Sequence, residues 1–373
     1  MRRARTSTLL PLYVGGFLGP FGGGVLAVLI PQLRDAFDAT TGAVAAAIPA
    51  YLVPFAAVQL ISGTVGERLG RRRVVRAGYL AYALFSVAGA LAPSLGLFLG
   101  ARALQGAANA FLTPLVLAGL ADATPPERLG RSIGTFAAVQ TAAIALSPLC
   151  GGVLGEFDWR LVFWLMTVVA LVLAAYPPPD PVRALDAEPA RLRSVLTARV
   201  GVLSAASFAG YAGITSLGFL VAIRSDDAFG LSSSGRGLLL AGFGVAGMLA
   251  GRPAGRLVDR LGRVEVALLG AGTCALIVAL LGEANSVAAL AALWFVAGAA
   301  SALLWAALNT MTVEAVPTNR AGATSVVSAF KFAGNAAAPA MWLPLYALDV
   351  RLAFLGAGAM AAVTGVLTLR LRV

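Results

Sequence analysis

The sequence predicts an all-α polytopic membrane protein, with twelve transmembrane helices in two parallel-repeat six-helix bundles. Three observations predict it. Hydrophobic residues make up 59% of the 373-residue chain, charged residues only 12%, and the mean hydropathy is +0.86; in soluble domains about a quarter of residues are charged. The apolar residues fall into twelve runs, most of them near the ~20 residues a helix needs to cross hydrocarbon. Finally, charged, glycine and proline positions recur at a constant offset of 192 residues, which makes the second half a repeat of the first.

In chain order the runs are 8–30, 43–65, 74–92, 95–121, 130–154 and 161–176, then 199–223, 235–257, 264–283, 286–314, 322–347 and 350–369. The opening MRRARTSTLLPLYVGG has the basic end and apolar stretch of a signal peptide. Its apolar run, however, continues to Ile30 without a small-residue cleavage pattern, so it reads as the first spanning helix. Glycines and prolines inside several runs are tolerable because neighbouring helices restrain the breaks and small residues let backbones approach. The stretch 176–200, YPPPDPVRALDAEPARLRSVLTARV, mixes proline and charge without a spanning run. It divides the chain into a first bundle at 1–180, a cytoplasmic connector at 181–198 and a second bundle at 199–373.

The formal charge of +11 does not point to nucleic acid, because the arginines sit in short gaps between apolar runs and leave no continuous polar surface. Most of them fall on one side if the N-terminus is cytoplasmic: Arg2, Arg3, Arg5, the group from Arg68 to Arg76, Arg128, Arg131, those of the 183–199 connector, Arg252 to Arg263, Arg320, Arg370 and Arg372. Only Arg34, Arg160, Arg224, Arg236 and Arg351 remain on the other. That imbalance predicts both termini in the cytoplasm; the expected location of this multi-pass protein is the plasma membrane, as a bacterial inner-membrane protein. Cys150 and Cys274 lie inside apolar runs, which argues against a disulfide framework. The chain has no histidine, no clustered metal ligands and no phosphate loop; GERLG lacks the Lys-Ser or Lys-Thr that would complete one. No enzyme activity, metal or cofactor is expected. The expected partners are a small-molecule substrate, protons and membrane lipids, with the chain working as a monomer.

The repeat carries both charge signs. Gly63, Glu67, Arg68, Gly70 and Arg71 recur as Gly255, Asp259, Arg260, Gly262 and Arg263, Asp122 recurs as Glu314, and Pro125, Arg128 and Gly130 recur as Pro317, Arg320 and Gly322. A positive-inside signal needs no acids, so the paired acids and bases point to a gate network of helix-end charges.

At these residues the sequence resembles the major facilitator superfamily. Its loop signature is present as Gly63, Glu67, Arg68, Gly70, Arg71 and Arg72, with Glu67 in place of the usual aspartate. RALQGAAN at 102–109 is similar to the family's fourth-helix motif. AIALSPLCGG at 143–152 is similar to its fifth-helix antiporter motif, with Ala143 and Ser147 where glycines are common, and WRLVFW at 159–164 is similar to the entry of helix six in drug:proton antiporters. The resemblance implies the major facilitator fold and export of small amphipathic compounds or drugs by proton antiport with alternating access. It also implies that Arg71 meets Asp122, that Glu67 faces the start of helix eleven, and that Arg263 with Glu314, and Asp259, are the second-half counterparts. Arg102 would have a proton-linked or gate-associated role. From the residues themselves, Pro148 followed by Gly151 and Gly152 can bend helix five or serve plain helix packing.

Polar residues inside the spans supply the candidate binding groups. Arg102, Gln105 and Asn109 share one face of helix four, and Ser328, Lys331 and Asn335 repeat that spacing on helix eleven. An ionisable residue in a span marks function by default. Tyr13, Phe17, Tyr51, Phe55, Gln59, Gln140, Tyr211, Trp305 and Asn309 complete a semi-apolar set suited to amphipathic compounds. Two cations facing one cavity would instead favour an organic anion or metabolite moved by exchange or facilitated transport. No carboxylate lies near the middle of a run. Asp35 and Asp38, at the outer end of helix one, are the proton-site candidates, on the condition that burial raises their pKa.

Overall fold

A computed structural model describes residues 9–125, 129–178, 197–317 and 320–372. Arg2, Arg3, Arg5, Arg128 and most of the predicted connector lie outside the described residues, as do the side chains of Glu67 and Arg131. The chain divides into two compact units, Met1–Ala187 and Glu188–Val373. Among the described residues all regular structure is helical, in twelve successive segments.

In the first unit the segments are α1 (Leu10–Gly24) with α2 (Leu26–Ala36), α3 (Thr41–Ala45) with α4 (Ala47–Leu69), α5 (Arg71–Ala90), α6 (Leu95–Asn109) with α7 (Leu112–Ala123), α8 (Leu129–Phe157) and α9 (Arg160–Ala175). In the second they are α10 (Ala198–Gly213) with α11 (Gly218–Asp227), α12 (Ser233–Leu261), α13 (Arg263–Leu281), α14 (Val287–Ala315), α15 (Arg320–Leu348) and α16 (Val350–Leu369). Among the described residues eight segments are long and apolar enough to cross a membrane, and the α1–α2 pair, bent by 48°, makes nine. The other three are α5, which opens on Arg71, Arg72, Arg73 and Arg76; α9, only 16 residues long; and α15, which carries Lys331, Asn335 and two prolines.

Local chemistry repeats with the sequence. Thr40 caps α3 by accepting from Ala43 N at 3.2 Å, and its counterpart Ser232 caps α12 by accepting from Gly235 N at 3.2 Å. Ser94 and Ser286 cap α6 and α14 in the same way. Each such cap supplies an acceptor that the first turn lacks, worth about 1 kcal/mol.

The arginine-rich stretch expected as a loop between spans is helical instead. Arg68 closes α4, the next four arginines lie in the first turns of α5, and a single residue, Gly70 at φ 88°, turns the chain between them. Gly262, at φ 97°, does the same between α12 and α13. Backbone of this kind is open to glycine and strained for other residues, so a one-residue connection suffices.

Packing in each unit relies on small residues. A Cβ on Gly106 of α6 would collide with the backbone carbonyl of Tyr51 in α4, and a Cβ on Gly298 of α14 would collide with that of Phe243 in α12. These pairs are again related by the repeat. Gly151 of α8 sits where a Cβ would lie 2.6 Å from Val25 Cγ2, so α8 packs tightly onto the α1–α2 bend. An edge-to-face cluster of Phe98, Trp159 and Phe163 closes one end of the first unit.

Candidate functional site

The helix-end charges pair within each unit. Arg71, 9% exposed, donates from Nη1 to Asp122 Oδ2 at 2.6 Å, which ties α5 to the end of α7. In the second unit Arg263 Nη2 donates to Glu314 Oε1, tying α13 to α14. Asp259 and Arg68 are exposed, and Asp259 makes no ion pair among the described residues. Gly63 and Glu67 belong to α4, and the Glu67 side chain is outside the described residues.

Deeper in the first unit, Arg102 forms the centre of a closed polar cluster. Its Nη1 donates to Gln105 Oε1 and its Nη2 to the Gly22 carbonyl at 3.0 Å. Gln105 Nε2 donates to Ser86 Oγ at 2.6 Å, and Ser86 Oγ donates to the Tyr82 carbonyl. The guanidinium also lies 4.2 Å from the Tyr51 ring centroid, a cation–π contact. Arg102 is 1%, Gln105 0%, Asn109 2% and Tyr51 2% exposed. The helical spacing of 102, 105 and 109 does bring them to one face. That face is packed shut in this structure, and Phe55, also expected to line a binding surface, is buried with it. The physical reason is local: an arginine in a span needs acceptors, and it finds them in α1 and α6 rather than in water.

The second unit presents an open counterpart. Lys331 of α15 donates from Nζ to Asn309 Oδ1 of α14 at 2.6 Å and lies 5.2 Å from the Trp305 ring centroid. Trp305 donates from Nε1 to Thr215 Oγ1 at 3.1 Å and meets the Tyr211 ring edge-on at 4.7 Å. Asn309 is exposed, and Tyr211, Trp305 and Lys331 are half-buried. Thr215 was missed in the sequence because a lone threonine carries no spacing signal.

The remaining candidates are dispersed. Tyr13 donates to Ser132 Oγ at 3.0 Å, Phe17 stacks on Phe21, and Gln59, Gln140 and Asn335 are half-buried without joining either cluster. Pro148 is buried inside α8, which runs through it as one helix. Asp35 and Asp38 are both exposed at the end of α2, and Asp35 pairs with its neighbour Arg34 at 2.9 Å. The burial on which their proton-site role depended is absent.

Sequence reasoning also passed over a buried ion pair. Arg236, 4% exposed, donates to Asp226 Oδ1 at 2.5 Å and to the Leu231 carbonyl at 2.7 Å, bracing the turn between α11 and α12. In the sequence Arg236 stands out only as one of the few basic residues on the outer side, and the acid ten residues before it is the available signal.

Two six-segment helical units with matched charge pairs are the architecture of a known transporter family, and its profile, described as Major Facilitator Superfamily, matches residues 12–225 and 202–373. This chain belongs to the Major Facilitator Superfamily. As a member it is a multi-pass membrane protein. A solved structure of a D-xylose-proton symporter superposes with a TM-score of 0.77 over 97% of this chain and 96% of that one, at 18% identity, a likeness of fold alone. Among curated relatives, the chain is 34% identical over 152 residues to the puromycin resistance protein pur8 of Streptomyces alboniger, covering 40% of this chain and 30% of that protein. It is 34% identical over 156 residues to the multidrug efflux pump LfrA of Mycolicibacterium smegmatis, covering 41% and 31%. It is 29% identical over 165 residues to the tetracenomycin C resistance and export protein of Streptomyces glaucescens, covering 44% and 31%. These matches thus span about a third of the length of the relatives.

Proposed function

We propose that this superfamily member exports small amphipathic compounds from the bacterial cytoplasm across the inner membrane by alternating access, in exchange for protons, as a monomer with both termini inside. The observation that carries the reading is the similarity to several relatives named for drug resistance or efflux. In this reading residues 1–180 and 199–373 move as bodies joined by 181–198. The Arg71–Asp122 and Arg263–Glu314 pairs weight the arrangement closed on the cytoplasmic side, and Arg102 responds to the proton gradient through its cluster. Asp35 and Asp38, the acids proposed from sequence as proton sites, are exposed, so a proton-carrying role for either requires burial in another arrangement.

The test is export of a panel of fluorescent amphiphiles from vesicles containing the full chain, with and without an imposed proton gradient. Gradient-dependent export of several compounds is expected. No export of any compound by folded protein would end the efflux reading, and export indifferent to the gradient would end proton coupling alone. For the gate, distances between spin labels on the inner ends of the two units should shift toward the open form in Arg71→Ala and in Asp122→Ala, with the double mutant less than additive.

A further inference from the structure

The second unit holds a cation in mid-span that pairs with no acid among the described residues. Lys331 is eleven residues into α15, roughly 16 Å of helix from its start, and so lies well inside the segment. Its polar partner is an amide oxygen, Asn309 Oδ1, and its other near neighbour is the face of Trp305. Both stabilise an ammonium without neutralising it. Among the described residues no carboxylate lies within 4.0 Å of it; the acids Asp226, Glu265, Glu283 and Glu314 in this unit are paired with arginines. An ammonium has three N–H donors, and Asn309 takes one.

Accessibility separates this cation from Arg102. The Arg102 cluster is sealed, whereas Asn309 is exposed and Lys331 and Trp305 are half-buried. The ring is also held in place, since Thr215 anchors its Nε1 and Tyr211 supports it edge-on. Because an ammonium has no acceptor, the oxygen of Asn309 must face it. That leaves the amide N–H pair as a second donor group, with no acceptor among the described residues. A lysine ammonium, an amide donor and an accessible indole therefore lie together, and a charged group in a span calls for a counter-charge.

We infer that this cluster is an anion-recognition site, and that the compound exported is an aromatic anion whose carboxylate or sulfonate pairs with Lys331 while its ring packs along Trp305 and Tyr211. The inference rests on the export reading and names its substrate class. Cationic amphiphiles meet a like charge at the same point and are rejected.

The test is calorimetric titration of the full chain in lipid nanodiscs with three matched probes: 2-naphthoate, the neutral 2-naphthamide and the cation 2-naphthylmethylammonium. Naphthoate should bind at least tenfold more tightly than either. Lys331→Gln should bring naphthoate to parity with the amide, and Lys331→Arg should keep the preference. Asn309→Asp, which supplies the missing carboxylate while leaving Lys331 in place, should abolish it as well, and this variant decides the matter if Lys331→Gln fails to fold. Failure of the wild type to bind naphthoate, equal binding of the three probes, or a preference that survives both Lys331→Gln and Asn309→Asp overturns the inference. Loss of gradient dependence in Lys331→Gln vesicles with the preference intact also overturns it and makes Lys331 a proton carrier. Export of the fluorescent panel is read separately. A naphthoate preference without export removes the efflux reading and leaves the site, whereas export without the preference removes only the substrate class.

Discussion

Residues 102 and 294 hold equivalent places in the repeat, and one is arginine while the other is tryptophan. Arg102 lies over the Tyr51 ring; Trp294 lies over that of Phe243, the residue 192 positions after Tyr51, at 4.6 Å, and donates from Nε1 to the Leu240 carbonyl at 3.3 Å. The glycine four residues on, Gly106 or Gly298, lets the same two backbones touch in both units. The repeat thus keeps the backbone contacts, the caps and the turning glycines, and varies the chemistry they hold. The first unit buries its cation and has Val139 where the second has Lys331; the second buries an indole and leaves its cation accessible. Scaffold positions are fixed by sterics, which tolerate no substitute, whereas a sealed node only has to be filled.

The sharpest break of that comparison is at the two nodes themselves. Arg102→Met removes the donors for Gln105 Oε1 and the Gly22 carbonyl, leaving two buried acceptors unpaired, and should destabilise by about 3 kcal/mol. Trp294→Phe removes one hydrogen bond and part of a ring, and should cost about 1–2 kcal/mol. Equilibrium unfolding in detergent checks both. If Arg102→Met costs less than Trp294→Phe, the penalty for burying the guanidinium outweighs its bonds, and the first node is held for function against stability.

Next come the scaffold glycines, where the units should respond alike. Gly106→Ala and Gly298→Ala each drive a methyl into a backbone carbonyl and should cost about 1–3 kcal/mol, with the two values within about 0.5 kcal/mol of each other by the same unfolding measurement. Gly70→Ala and Gly262→Ala place a side chain at positive φ and should each cost about 1–2 kcal/mol. Unequal values within either pair would mean that the repeat is geometric without being energetic.

Much of this was legible in the sequence, for reasons that differ from residue to residue. Arg102, Gln105 and Asn109 lie on one helix, so their spacing shows that they share a face; whether that face is open or sealed depends on Gly22 and Ser86 from other helices, which no spacing rule reaches. Lys331 and Asn309 sit on different helices, and their meeting is likewise a product of packing. The stretch from Arg68 to Arg76 read as a loop because charge outweighed helix propensity in that reading, although arginine is a good helix former and a single glycine can turn the chain. Asp35 and Asp38 drew attention as acids at the outer end of helix one, and only the fold shows that both are exposed.

The smallest effect is also the one closest to gating. Arg71–Asp122 and Arg263–Glu314 are equivalent pairs, but the Arg71 side chain is 11% exposed and that of Arg263 is 47%. Exposed pairs are screened by solvent and salt and are worth about 0–1 kcal/mol, whereas a pair with one buried partner leaves an uncompensated charge when broken. Double-mutant cycles should therefore give a coupling of about 1 kcal/mol for Arg71 with Asp122 and below about 0.5 kcal/mol for Arg263 with Glu314. Added salt should erase the second coupling before the first, because screening acts on exposed charges. Equal couplings with equal salt dependence would show that the burial of Arg71 is incidental, and the two units would then weight the proposed gate equally. Unequal couplings place the dominant weight in the first unit, on the same helix, α5, whose Ser86 completes the sealed cluster around Arg102.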